Sequence, residues 1–147
     1  MKSPRKKIID KTKAEIKKIL YIKQGRFCFF CGKSESHFKY PLSIFHILPV
    51  GSHPRLELTI ENIVLACWAK EYFIKCCHNV WEDRVEPFRS KMEEQLKQKF
   101  GKDYKDKLLL IEQSNPPLNK FRAMNYYYYY KQELKKLKEA RDGASML

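Results

Sequence analysis

The chain has 147 residues, with 30 lysines and arginines against 17 acids, a formal charge of +13 and 14% aromatic residues. That length suits one domain with a modest core, and the aromatic content excludes a disordered polycation. No apolar run reaches the roughly 18 residues of a membrane span, and the lysine-rich beginning lacks the apolar stretch of a secretory signal, so the expected setting is intracellular, with nucleic acid first among the polyanions that such a charge attracts.

The first predicted element is a basic amphipathic helix in residues 1–25. Ile9, Ile16, Ile19 and Leu20 fall at helical spacing around "DKTKAEIKKILYIKQG", and Gly25 supplies a stop. Residues 27–67 change character, because turn signals at "CGKSES", "YPLS" and "PVGSHP" separate short apolar pieces. Loops and short strands are expected there. After Trp81 the helical period returns, with Phe88, Met92, Leu96 and Phe100 four residues apart and Gly101 at the end. A shorter helix is expected over 104–112, closed by "SNPP", whose prolines cannot continue it. The last helix, over about 119–140, places Phe121, Met124, Tyr128, Leu134 and Leu137 near one face. Its five consecutive tyrosines wrap all faces, so some must meet solvent, a partner or nucleic acid.

The chemistry-bearing residues lie between the first and last helices. "FCFFCGK" sets Cys28 and Cys31 two residues apart before a glycine, the form of a zinc knuckle in which both thiolates face one tetrahedral ion. Taken alone, the pair also reads as small buried thiols or a redox dithiol. Five cysteines in a reducing compartment favour metal ligands over disulfides. Cys67, Cys76 and Cys77 are the only others, and two of them would complete a four-thiolate site. His46, Asn62 and His78 accompany them. Alone, His46 among Ile44, Phe45, Ile47 and Leu48 reads as a core histidine. As a set, two imidazoles and an amide framed by knuckles suit a one-metal phosphodiester hydrolase, in which one imidazole takes a proton from water and the other holds a divalent metal.

The order Cys28-x-x-Cys31, His46, Asn62, Cys67, then Cys77-His78-Asn79 resembles the HNH (ββα-metal) endonuclease pattern. "FHILPVGSHPRLELTIENIVLAC", "KFGKDYKDKLL" and "YYYYYKQELKKLKEA" extend the likeness to the phage NinG, or Rap, recombination-nuclease family over roughly residues 15–140. The resemblance implies an α+β fold, with a zinc-stabilised HNH core at 26–84 and a helical extension at 85–147. It implies His46 as general base, Asn62 as the residue holding the base's loop and imidazole, and His78 as ligand of a catalytic Mg²⁺ or Mn²⁺. Cys28, Cys31 and Cys67 match structural zinc ligands. DNA, with branched recombination or repair intermediates, is the implied substrate, and the setting is the cytoplasm of a bacterial or phage-infected cell.

Two departures qualify the pattern. The usual fourth zinc ligand falls at Lys70, so "WAKEYFIK" is expected to form an outward-projecting insertion, after which Cys77, or alternatively Cys76, returns to the zinc. The Asp, Glu or His that such enzymes often place just before the general base, or a few residues before it, is absent, with Phe45 and Ser43 at those places. Ser43, a water, Asp83 or His53 are the candidates to fill the gap. Phosphate contacts are expected from lysines and from Arg26, Arg55, Arg84 or Arg89, and the helices could pair two subunits into a homodimer. A zinc-folded DNA-binding module without cleavage is the alternative function, with a partner-binding role a third.

Overall fold

The computed structural model describes residues 1–71 and 76–145, with the side chains of residues 144 and 145 left out of account. Among the described residues are five α-helices and one two-stranded antiparallel sheet, an α+β arrangement.

Helix α1, Pro4–Lys23, falls within the residues 1–25 expected for it. Ser3 accepts a hydrogen bond from the Lys6 amide, and Pro4 occupies the first turn, where its missing N–H costs nothing. Gly25, at φ 89°, takes the chain out of the helix. Ile9, Ile16, Ile19 and Leu20 are buried, as their spacing requires. Burying each such side chain contributes about 1.5–3 kcal/mol. Thr12 on the same face satisfies its hydroxyl by donating to the Ile8 carbonyl at 2.7 Å.

Strands β1, Ser43–His46, and β2, Ile63–Ala66, pair so that Ser43 faces Ala66 and His46 faces Ile63. Every residue of β2 is buried, in keeping with its continuous Ile-Val-Leu-Ala run. The outer edge of β2 is occupied: Phe29 donates its amide to the Leu65 carbonyl, and the Gln24 side-chain amide both donates to that carbonyl and accepts from the Leu65 amide, each at 3.0 Å. Helix α2, Cys77–Glu82, follows, and Trp81 packs it onto Phe45 and Phe30 with ring centroids 5.4 and 6.4 Å away.

Helices α3, Phe88–Phe100, and α4, Tyr104–Ser114, lie where the sequence places them. Met92 and Leu96 are buried, whereas Phe88 and Phe100 at the two ends of the stripe remain partly open, Phe100 stacking on Phe29 at 5.7 Å. Helix α5, Lys120–Ser145, is capped by Asn119, which accepts from the Arg122 amide, and it packs along α1. Its buried stripe is Ala123, Tyr130 and Leu134, with Tyr126 and Leu137 partly covered, rather than one containing Phe121 and Tyr128, which are exposed. Tyr130 explains the rotation. Its hydroxyl donates to the Leu58 carbonyl at 2.6 Å and accepts from the Ile60 amide at 3.1 Å, so inward placement of this tyrosine satisfies three buried polar groups.

Candidate metal centre and active site

Four sulfurs meet beside the sheet. The Sγ atoms of Cys28, Cys31, Cys67 and Cys77 lie within 4.8 Å of one another, and Cys31 and Cys67 are 4.0 Å apart. A tetrahedral zinc with bonds of about 2.3 Å sets its sulfurs about 3.8 Å apart, so the cluster could hold such an ion with contractions of under about 1 Å. The knuckle is closed by Cys28 donating to the Lys33 carbonyl and Gly32 donating to that of Cys28, with Gly32 at φ 72°. Backbone amides are aimed at the sulfurs: Cys67 N–H donates to Cys28 Sγ at 3.4 Å and Cys77 N–H to Cys67 Sγ at 3.1 Å. Thiol donors from Cys67 and Cys77 drive the Cys28 sulfur strongly towards thiolate, and donating those hydrogen bonds pushes both partners up. A cation replacing those shared protons suits all four. Cys76 is outside the cluster. It is buried at the N-cap of α2, with its pKa raised by burial.

The expected insertion is described over its first four residues. They fold back against the protein: Trp68 packs on Tyr40 at 5.4 Å, buried Ala69 is clamped by the Asn79 amide through two 3.0 Å bonds, and Glu71 meets Lys39 and Tyr40. Residues 72–75, the rest of the segment expected to project, lie outside the described residues.

His46 and His78 face one cleft of about 510 Å³, shared with Lys13, Glu82, Arg84 and Arg89. His46 ends β1, and its Nε2 lies 2.9 Å from the Glu57 carbonyl. A carbonyl only accepts, so Nε2 carries the proton and Nδ1 keeps its lone pair. Burial lowers the His46 pKa, favouring the neutral ring. Asn62 is fully buried. Its Oδ1 accepts from the Leu48 amide at 2.8 Å and its Nδ2 donates to the Leu48 carbonyl at 3.0 Å, pinning the loop two residues past His46. The His46 imidazole is therefore held by Glu57, and Asn62 acts on the backbone beyond it.

His78 is the second residue of α2, immediately after a cysteine of the cluster, and its amide donates to the Cys67 carbonyl at 3.0 Å. The Ser43 hydroxyl donates to the Ala66 carbonyl, so at 2.8 Å it accepts from Nδ1–H of His78. That fixes the tautomer and leaves the Nε2 lone pair 3.1 Å from Glu82 Oε1. A lone pair facing a carboxylate is favourable only with a proton or a cation between them, and burial lowers the His78 pKa against the opposing pull of Glu82. Phe45, 1% exposed, supports the His78 ring at 5.2 Å. Ser43 and Phe45, at the places where the HNH pattern often has a metal ligand, thus orient and support a histidine.

Glu82 escaped the sequence reading, although its signal is a histidine and a glutamate four apart on a helix. The other candidates lie elsewhere: His53 pairs with Glu112 of α4 at 3.0 Å, and Asp83 is exposed at the end of α2. Among the described residues, the cysteines are the only group of three or more ligand-type side chains close enough to share a metal, and no helix is long and apolar enough to cross a membrane. No protein family, curated protein or solved structure matches the chain.

Proposed function

We propose that the protein is a metal-dependent DNA endonuclease with a zinc-stabilised ββα-metal core, acting on branched recombination or repair intermediates. The observation that carries this reading is the pairing, across one cleft, of two differently prepared imidazoles: His46 with Nδ1 free to accept a proton, and His78 with Nε2 turned to Glu82. Asn62 supports the reading by fixing the loop after His46. In this reading His46 Nδ1 takes the proton of the attacking water, and the Glu57 carbonyl holds the ring so that Nε2 stays protonated.

His78 Nε2 and Glu82 Oε1 would hold the divalent ion. Their separation of 3.1 Å matches adjacent corners of an octahedron with bonds of about 2.1 Å. Two protein ligands are sufficient for Mg²⁺, which keeps several waters and takes substrate oxygens. When bound, the ion would offset charge on the phosphorus oxygens and the departing oxygen. Glu82→Gln tests this apart from catalysis. We expect zinc-loaded protein to bind Mn²⁺, read by its electron paramagnetic resonance, at least tenfold more weakly after the substitution; unchanged binding would remove Glu82 from the site.

The deciding experiment is cleavage of labelled branched and linear duplex DNA with and without Mg²⁺ or Mn²⁺. Cutting that needs the ion supports the nuclease, and no cutting by well-folded, DNA-binding protein would favour the second reading, a zinc-folded DNA-binding module. That reading rests on the small number of protein ligands beside His46.

The pH profile has a defined direction. A general base must be neutral, and burial lowers the His46 pKa below the ordinary value of about 6.5. The acid limb of the cleavage profile should therefore have its midpoint below pH 6.5. A midpoint above 7 would mean that another group acts as base.

A further inference from the structure

The wall of the cleft opposite β1 carries two arginines whose positions are unfavourable for folding alone. Arg84 sits at φ 54°, the one described non-glycine residue with a positive φ. It occupies the position just past the α2 C-cap. Its amide donates to the Trp81 carbonyl and the Val85 amide donates to the Val80 carbonyl, both at 3.1 Å, which together form a Schellman motif. Glycine is the residue this position favours, and a side chain there costs about 1–2 kcal/mol. Arg89 lies in the first turn of α3, where the helix dipole disfavours a cation. Its guanidinium lies 4.5 Å over the Trp81 ring, and its buried Nε has no hydrogen-bond partner among the described residues.

Among the described residues, neither arginine has a carboxylate within ion-pair distance, unlike Lys13 in the same cleft, which pairs with Glu57 at 2.7 Å. Glu82, the carboxylate lining this cleft, faces His78. Two uncompensated guanidinium groups thus line the same 510 Å³ as His46 and His78. Planar, permanently charged forks suit phosphate oxygens. Packing of Arg89 on Trp81 orders that side chain before any ligand arrives.

We infer that Arg84 and Arg89 form a phosphodiester-gripping wall, which holds the DNA backbone beside the phosphate presented to His46 and His78. The inference rests on the proposed nuclease reading for its ligand, and it adds the residues that set the strand's position in the cleft. Strain at Arg84 is then a local stability cost kept for binding.

The test uses the full zinc-loaded chain and fluorescence anisotropy of a labelled duplex without added divalent ion, so that binding is read without cutting. Arg84→Gly should leave the unfolding midpoint unchanged or higher, because it relieves the positive φ. It should weaken DNA binding by about five- to tenfold and reduce the salt slope of log Kd by about one. Arg89→Gln should lower affinity and slope similarly.

Unchanged affinity and slope in both variants would overturn the wall, whether or not the protein cuts DNA. Weakened binding in both, with no cutting by any protein, would retain the wall and overturn the nuclease. Inorganic phosphate compared with chloride at equal ionic strength distinguishes a strand from a free anion. Equal competition supports the strand, and selective displacement by phosphate overturns it.

Discussion

Replacing His46 by alanine should abolish metal-dependent cutting, by about 10²- to 10⁴-fold, while the zinc content stays at that of the unmodified protein. The magnitude is that of removing a general base. The zinc content separates lost chemistry from lost structure, since His46 lies on β1 and takes no part in the cysteine cluster. Alanine leaves the Glu57 carbonyl without its partner at 2.9 Å, a cost of about 1–3 kcal/mol. His46→Gln therefore belongs beside it, because a glutamine amide can donate to that carbonyl but cannot serve as base. Cutting at the unmodified rate by both variants would exclude His46. Loss in the alanine variant with full activity in the glutamine variant would give His46 a purely structural part.

Cys77→Ser should strip the zinc and loosen the middle of the chain, whereas Cys76→Ser should keep one zinc per chain. The cysteines differ by one position, yet the Cys77 sulfur is in the cluster and the Cys76 sulfur is outside it. Structural zinc contributes apparent free energies of about 10–16 kcal/mol, comparable with the entire 5–15 kcal/mol stability of an ordinary domain. Loss of one thiolate removes much of that. A metal count with circular dichroism on both variants reads the difference, and zinc retained by Cys77→Ser but lost from Cys76→Ser would reverse the ligand assignment. Cutting should fall with the zinc, because Cys77 fixes the first turn of α2, on which His78 and Glu82 are mounted.

Much of this arrangement was legible because it obeys local periods. The stripes of α1 and α3, the glycines that end them, the knuckle at Cys28 and Cys31, and the proline break before α5 all follow from spacing within about 20 residues. The start of α1 is also written locally, in the capping Ser3 and in Pro4 at the first turn. The face of α5 holds at Leu134 and Leu137 but differs at Phe121 and Tyr128 for a different reason: its tyrosines supply apolar area on every side, and the choice falls to the partners of one hydroxyl, Tyr130, more than 60 residues away in sequence. In the site, the residue types were legible and their hydrogen bonds were not. That a backbone carbonyl at Glu57 rather than Asn62 holds the His46 ring leaves no mark in residue identity. Glu82 does leave a mark, its four-residue spacing from His78 on one helix.

The Gln24 side chain has a consequence at the scale of many molecules. A two-stranded sheet ordinarily presents an open row of donors and acceptors on each flank, and β2, made wholly of buried aliphatic residues, would be an adhesive template for a strand from another chain. The Gln24 amide meets both backbone groups of Leu65 as a neighbouring peptide would, and the Phe29 amide closes the same carbonyl. At Leu65 this flank is thus met by a carboxamide at the end of a helix and by the Phe29 amide, so the groups that would pair with a strand of another chain there are occupied from outside the sheet.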